Sequence, residues 1–200
     1  MSTAVNTSSL SSFLQHNIND AVANIQRLAS FEPQITSAAR ILSSALLSGH
    51  KLIACGNGGS AADASHLTTE FVCRYSRDRR PYPALSLAVH GGDLTAIGND
   101  YEFNDIFARQ IHAFGQSGDV LTAFSTSGNS ENVRRALVAA NDRDLHTVAF
   151  LGRKGGDCAG LARIEFLVSS EVTARIQEAH KFLLHTICEL VEQQLEQGEG

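Results

Sequence analysis

Lys51-Leu52-Ile53-Ala54-Cys55-Gly56-Asn57-Gly58-Gly59-Ser60 is a short apolar run that breaks into glycines. The residues after it, from about Ala61 to Tyr75, read as a helix. Strand, glycine turn and helix in that order form the opening half of a βαβ unit. The alternation then recurs. Pro83–Val89, Asp119–Phe124, Thr147–Leu151 and Ile164–Val168 read as further strands. Glu102–Phe114, Glu131–Asp142 and a short stretch around Cys158–Ala162 read as helical, and a long final helix runs from about Thr173 to Leu195. Strands separated by helices of this length imply right-handed crossovers, hence a parallel sheet covered on both faces. The expected fold is therefore α/β: three layers, doubly wound, with five parallel strands.

Ahead of this core, residues 1–9 are rich in Ser, Thr and Asn and read as a frayed start. Residues 10–49 read as a helical hairpin. Its first helix carries Leu10, Leu14, Ile18, Ala21, Ile25 and Leu28 in a narrow seam suited to packing against another helix, in this chain or a second subunit. Its second opens at Pro33 and closes at Gly49. Residues 50–197 form the α/β core, and nothing resembles a linker or repeat, so residues 1–200 read as one domain.

Composition removes several function classes. The net charge of −5 gives none of the basic excess of a nucleic-acid-binding protein. No apolar run approaches the ~18 residues of a membrane span. The first basic residue is Arg27, so the positive start of a signal peptide is missing. Cys55, Cys73, Cys158 and Cys188 show no framework spacing and read as reduced thiols of a cytoplasmic protein.

Ligands of open parallel sheets bind beyond the carboxyl ends of the strands, and three glycine-bearing loops fall there. Gly56–Ser60 with Ala61 formally matches a dinucleotide fingerprint. The acid that should follow about 20 residues on falls near Asp78, before the second strand begins, which argues against a nicotinamide or flavin. Ser125, Thr126, Ser127 and Ser130 place four hydroxyls at one strand-to-helix turn, with Gly128 and Asn129 to shape it. Ser130 alone would serve as a helix cap; four hydroxyls at a helix start favour a phosphate monoester. The third loop, Gly152–Asp157, carries three more glycines.

On the helix after the first loop, His66 and Glu70 are four residues apart and share one face. They read either as a solvated surface pair or as ligands and acid/base groups. The final helix offers Gln177, Glu178, His180 and His185. Imidazole with carboxylate suits Zn2+ or a similar divalent ion. Gln177 and His185 are separated by about 12 Å along a straight helix, so Gln177 with His180 is the easier pair from spacing, and spacing leaves the choice open.

Five segments occur in the order and spacing of one family: CGNGGSAADASH (Cys55–His66), TAIGNDYEFNDIFARQ (Thr95–Gln110), GDVLTAFSTSGNSENV (Gly118–Val133), TARIQEAH (Thr173–His180) and CELVE (Cys188–Glu192). Over about Leu10 to Leu195 the chain resembles the bacterial phosphoheptose isomerases of the sugar isomerase (SIS) fold. The resemblance implies an aldose–ketose isomerase that converts sedoheptulose 7-phosphate to glycero-manno-heptose 7-phosphate for the lipopolysaccharide core. It also implies a homotetramer with active sites at subunit contacts, and one zinc per chain. By position, His66, Glu70, Gln177 and His185 match the metal set, and Glu70 and His185 the acid/base pair. Asn57, Gly58, Gly59, Glu70, Asn99, Asp100, Ser125, Thr126, Ser127, Ser130 and Gln177 match substrate contacts. The chain departs from the family pattern at Ala88–Asp93 and Ser169–Val172, so a paralogue acting on another sugar phosphate is one alternative. A non-catalytic relative that binds the replication initiator is another, but it would lack the His66, Glu70, Gln177 and His185 set kept here. A sugar-phosphate sensor fused to a DNA-binding domain would need sequence that this chain does not contain.

Overall fold

The strands form one parallel sheet in the order β2-β1-β3-β4-β5: β1 Leu52–Gly56, β2 Ala84–Ser86, β3 Val120–Ser125, β4 His146–Gly152 and β5 Ile164–Val168. The computed structural model describes residues 7–198. Residues 1–6 of the stretch read as frayed lie outside the described residues, while 7–9 already belong to the first helix. The helices are α1 Thr7–Arg27, α2 Glu32–Leu47, α3 Gly59–Val72, α4 Gly91–Asp100, α5 Ala108–Phe114, α6 Glu131–Asp142 and α7 Thr173–Gly198.

Period-two alternation divides the strands between two cores. Leu52, Ala54, Val120, Phe124, Val148, Phe150 and Phe166 point to the face covered by α2, α3 and α7. Ile53, Cys55, Leu121, Ala123, Ala149 and Leu151 point to the face covered by α5 and α6. Both faces are dry, which is why these strands read as unbroken apolar runs. Under α7, Phe124, Phe150 and Phe166 stack with ring centroids 4.6 and 4.8 Å apart.

The front helices find their main partner in α7. A short 3-10 turn over Leu28–Phe31 joins them. Pro33 lies in the first turn of α2. Beyond α2, Gly49 takes φ +85°, and the amides of Gly49 and His50 bond back to the carbonyls of Leu46 and Ala45, closing the helix in a Schellman pattern.

Four sequence readings change, among them β2, which ends at Ser86 rather than Val89. The helix expected over Glu102–Phe114 is a 3-10 turn at Phe103–Asp105 followed by α5, because Ile106 and Phe107 turn inward to the core before α5 begins. α4 was not anticipated: its glycines disfavour a helix, and it forms by laying Leu94 and Ile97 on the α5/α6 core while burying no residue fully. The helical stretch expected around Cys158–Ala162 is only a 3-10 turn, Gly156–Cys158.

Candidate active site

The chain passes from β1 to the sheet edge at β2, then returns to place β3 on the other side of β1. The helices that follow β1 and β3 lie on opposite faces, so the crevice between these strands is the topological switch point where ligands bind. The loops after β1 and β3 frame it. Asn57 and Asn132 join them by two reciprocal side-chain amide bonds of 2.8 and 2.9 Å.

The Ser/Thr loop is organised from within. The Ser125 hydroxyl accepts the Gly128 amide at 3.1 Å and donates to the Ser130 hydroxyl at 3.2 Å, while Ser127 Oγ accepts the Asn129 amide. Ser130 sits at the N-cap of α6, but its side chain makes no capping bond; the simple capping reading therefore does not describe it. Gly128 has φ +70°, and a Cβ there would lie 2.0 Å from the Gly155 carbonyl oxygen. The Cys158 amide donates to the Gly128 carbonyl and the Asp157 amide to Asn129 Oδ1. The third glycine loop thus buttresses the Ser/Thr loop.

α3 and α7 lie side by side and run in the same direction. Gln177 covers Gly59, where a Cβ would come within 2.1 Å of its Nε2. One turn on, Lys181 Nζ pairs with Asp63 Oδ1 at 2.7 Å. Next, His66, Glu70 and His185 gather: His66 Nε2 is 2.7 Å from Glu70 Oε1 and 3.4 Å from His185 Nε2. The Tyr75 ring lies 5.9 Å from that of His185. Burial lowers the pKa of His185, and His66 and Lys181 lower it further.

The fold therefore brings together three of the four residues expected to hold a metal, on elements more than 100 residues apart. Gln177 is held at the glycine loop instead. Among the described residues, no group of three His, Cys, Asp or Glu side chains is placed so that it could hold a metal ion as it stands; His66 links to Glu70 and to His185 pairwise. The donor set, two imidazoles and a carboxylate, suits Zn2+. The His66–His185 separation is close to the edge of a tetrahedron with ~2.0–2.1 Å metal–nitrogen bonds. Asn99 and Asp100 lie apart, exposed at the end of α4 and bonded to each other at 2.8 Å.

His180, the other candidate partner of Gln177, is buried completely. Its Nε2 donates to the Leu151 carbonyl at 3.3 Å, and its ring lies against Phe124 and Phe150. Burial pushes its pKa down to about 4, only partly offset by the Leu151 carbonyl and Asp63. Because the unfolded chain binds a proton there near pH 6.5 and the folded one does not, stability is full above 6.5 and declines as pH falls toward 4. The expected decline is about 3 kcal/mol. Urea unfolding across that window should show it, and His180→Leu should flatten it.

A profile described as the SIS domain matches residues 16–152. The chain belongs to the SIS domain family. Within it, the chain falls among the phosphoheptose isomerases. A phosphoheptose isomerase from Chromohalobacter salexigens is 49% identical over 166 residues, covering 82% of this chain and 84% of that protein. A solved phosphoheptose isomerase from Neisseria gonorrhoeae superposes with TM-score 0.86 at 37% identity, over 92% of this chain and 99% of that one. One from Francisella tularensis gives 0.85 at 33%, over 94% and 99%.

Asn132, Asp63, Lys181 and Tyr75 escaped the sequence reading. Lys181 had a signal, lying four residues from both Gln177 and His185 on one helix face. That α7 lies along α3 is tertiary, and no spacing within either helix announces it.

Proposed function

We propose that this protein is an aldose–ketose isomerase that interconverts sedoheptulose 7-phosphate and D-glycero-D-manno-heptose 7-phosphate, serving synthesis of the lipopolysaccharide heptose. The observation that carries the reading is the His66–Glu70–His185 cluster, set on α3 and α7 beyond the glycine loop at the sheet's switch point. The phosphoheptose isomerases that match across most of the chain supply the substrate.

The Ser125–Ser130 hydroxyls and the first amides of α6 bind the phosphate, where the positive end of the helix dipole favours an anion. From Gly59 to His66, α3 rises about 10 Å, a distance that an extended seven-carbon chain bridges. Asn57, Gly58, Gly59 and Gln177 line that interval, while Asn99 and Asp100, apart from it at the end of α4, are sugar contacts only by their positions in the resemblance to the phosphoheptose isomerases. Fixing the phosphate at one end holds C1 and C2 at the Glu70 end.

Glu70 takes a proton from C1 of the ketose, its carboxyl exchanges that proton with solvent, and it delivers a proton to C2. His185 carries the hydroxyl proton from the C1 oxygen to the C2 oxygen. One proton leaves and one arrives at carbon and at oxygen, an enediol lies between, and the roles reverse with direction. In the ion-free site His66 donates its Nε2 proton to Glu70 and holds the carboxylate in place. A Zn2+ held by His66, Glu70 and His185 would polarise the carbonyl and steady the enediolate charge.

Leu10, Phe13, Leu14, Ile18 and Val22 of α1 are all exposed, an apolar stripe of the kind that marks a protein contact. It supports a homotetramer in which neighbouring copies complete the sites. Four free thiols suit a cytoplasmic setting, and no described helix is long and apolar enough to cross a membrane.

The test is NMR of the purified protein with sedoheptulose 7-phosphate, with and without chelator. The aldose product is expected. No turnover of this substrate, alongside turnover of another ketose phosphate, would overturn the assignment.

A further inference from the structure

We infer that Lys181 is a positioning residue that fixes the tautomer of His66 and thereby weakens the hold of this site on a divalent ion. The inference deepens the isomerase reading and rests on it for the role of the His66 cluster. Lys181 Nζ lies 2.8 Å from His66 Nδ1 and 2.7 Å from Asp63 Oδ1. An ammonium has three donors and no lone pair, so Nδ1 is the accepting nitrogen. A neutral imidazole then carries its proton on Nε2, the atom 2.7 Å from Glu70 Oε1. The result is one chain of donors and acceptors, from Asp63 through Lys181 and His66 to Glu70.

This chain suits proton transfer by Glu70 and opposes an ion. To ligate through Nε2, His66 must move its proton to Nδ1, and an imidazole that ligates normally donates that second N–H to an acceptor. Here Nδ1 meets a donor. The natural acceptor, Asp63, stands one helical turn before His66 and is buried, with Oδ2 left without a hydrogen-bond partner. Lys181 is inserted between the two. Its positive charge also repels a dication at the imidazole's other nitrogen. The ammonium is not locked in, since its side chain is about one-third exposed, at 36%. An ion therefore enters only when Lys181 withdraws and His66 changes tautomer.

Replacing Lys181 should move both properties. In chelator-treated wild-type protein, nitrogen-15 NMR of the histidine rings should find His66 protonated at Nε2. In Lys181→Met the Nδ1-protonated form, donating to Asp63, should gain population. Titration with Zn2+ alone against a competing chelator should show affinity rising at least tenfold, within the roughly 10–100-fold range of partners behind a ligating imidazole. Lys181→Gln, whose amide oxygen accepts an N–H, should behave the same way and serves if the Met variant folds poorly. An unchanged His66 tautomer, zinc affinity unchanged or weakened in the variants, or no zinc binding by any of these proteins would overturn the inference. Failure of the isomerase reading looks different: sedoheptulose 7-phosphate is not turned over, while the tautomer and affinity shifts persist.

Discussion

Glu70→Gln loses kcat by on the order of 10^2 to 10^4-fold, the range a positioned acid/base group commands, while KM changes little and the protein stays folded. The substitution keeps the shape of the side chain and its hydrogen bond from His66, but an amide takes no proton from carbon. His185→Gln is expected to fall by a similar factor, because it removes the carrier between the two oxygens. Steady-state kinetics with circular dichroism of each variant is the check. Either variant turning over near the wild-type rate would remove that residue from its role. Neither side chain is fully buried: that of Glu70 is 18% exposed and His185 is half-buried, and circular dichroism separates lost chemistry from lost structure.

Glu192→Ala is expected to cost stability rather than chemistry in the first instance, by about 3–5 kcal/mol, as when one partner of a buried ion pair is removed. Glu192 is buried on α7. It accepts the amides of Tyr75, Ser76 and Arg77 at 3.0–3.2 Å and the Ser76 hydroxyl at 3.0 Å, and Arg79 Nε lies 3.3 Å away. Arg79 in turn bonds the carbonyls of Glu70 and Phe71, closing the end of α3. One carboxylate thus pins the loop after α3 to α7. Burial alone would raise its pKa, but these donors outweigh it and leave the value lowered. The carboxylate's contribution is therefore complete above the unfolded pKa near 4.3 and is lost as pH falls through the lower folded value. Chemical denaturation of wild type and variant should show a wide gap at pH 7 that narrows in acid. A gap that persists unchanged at low pH would mean that packing, not charge, makes the difference.

How far the chain could be read in advance depended on whether the information was local. β5 and α6 fall at the boundaries read from the sequence, because apolar alternation and a Ser130–Glu131 helix start are local signals. Strand β2 is shorter than expected, only Ala84–Ser86. α4 was invisible because glycine-rich sequence becomes helical there only by lying on a core built from other segments. In the site, His66 and Glu70 were legible as an i, i+4 pair. Their meeting with His185 depends on α7 lying along α3, and the same packing puts Gln177 over Gly59 and Lys181 against His66. Gln177 carries the matching residue type at the matching position, and its side chain rests against Gly59 rather than beside His66.

The mechanism stands on Glu70 moving a carbon-bound proton, and conversion of sedoheptulose 7-phosphate in D2O, followed by NMR, reads that movement at the atom concerned. The enediol route through an exchangeable carboxyl predicts an aldose bearing deuterium at C2, with both product and label lost in Glu70→Gln. Product that retains only protium at C2, or label that enters C2 undiminished in Glu70→Gln, would contradict it.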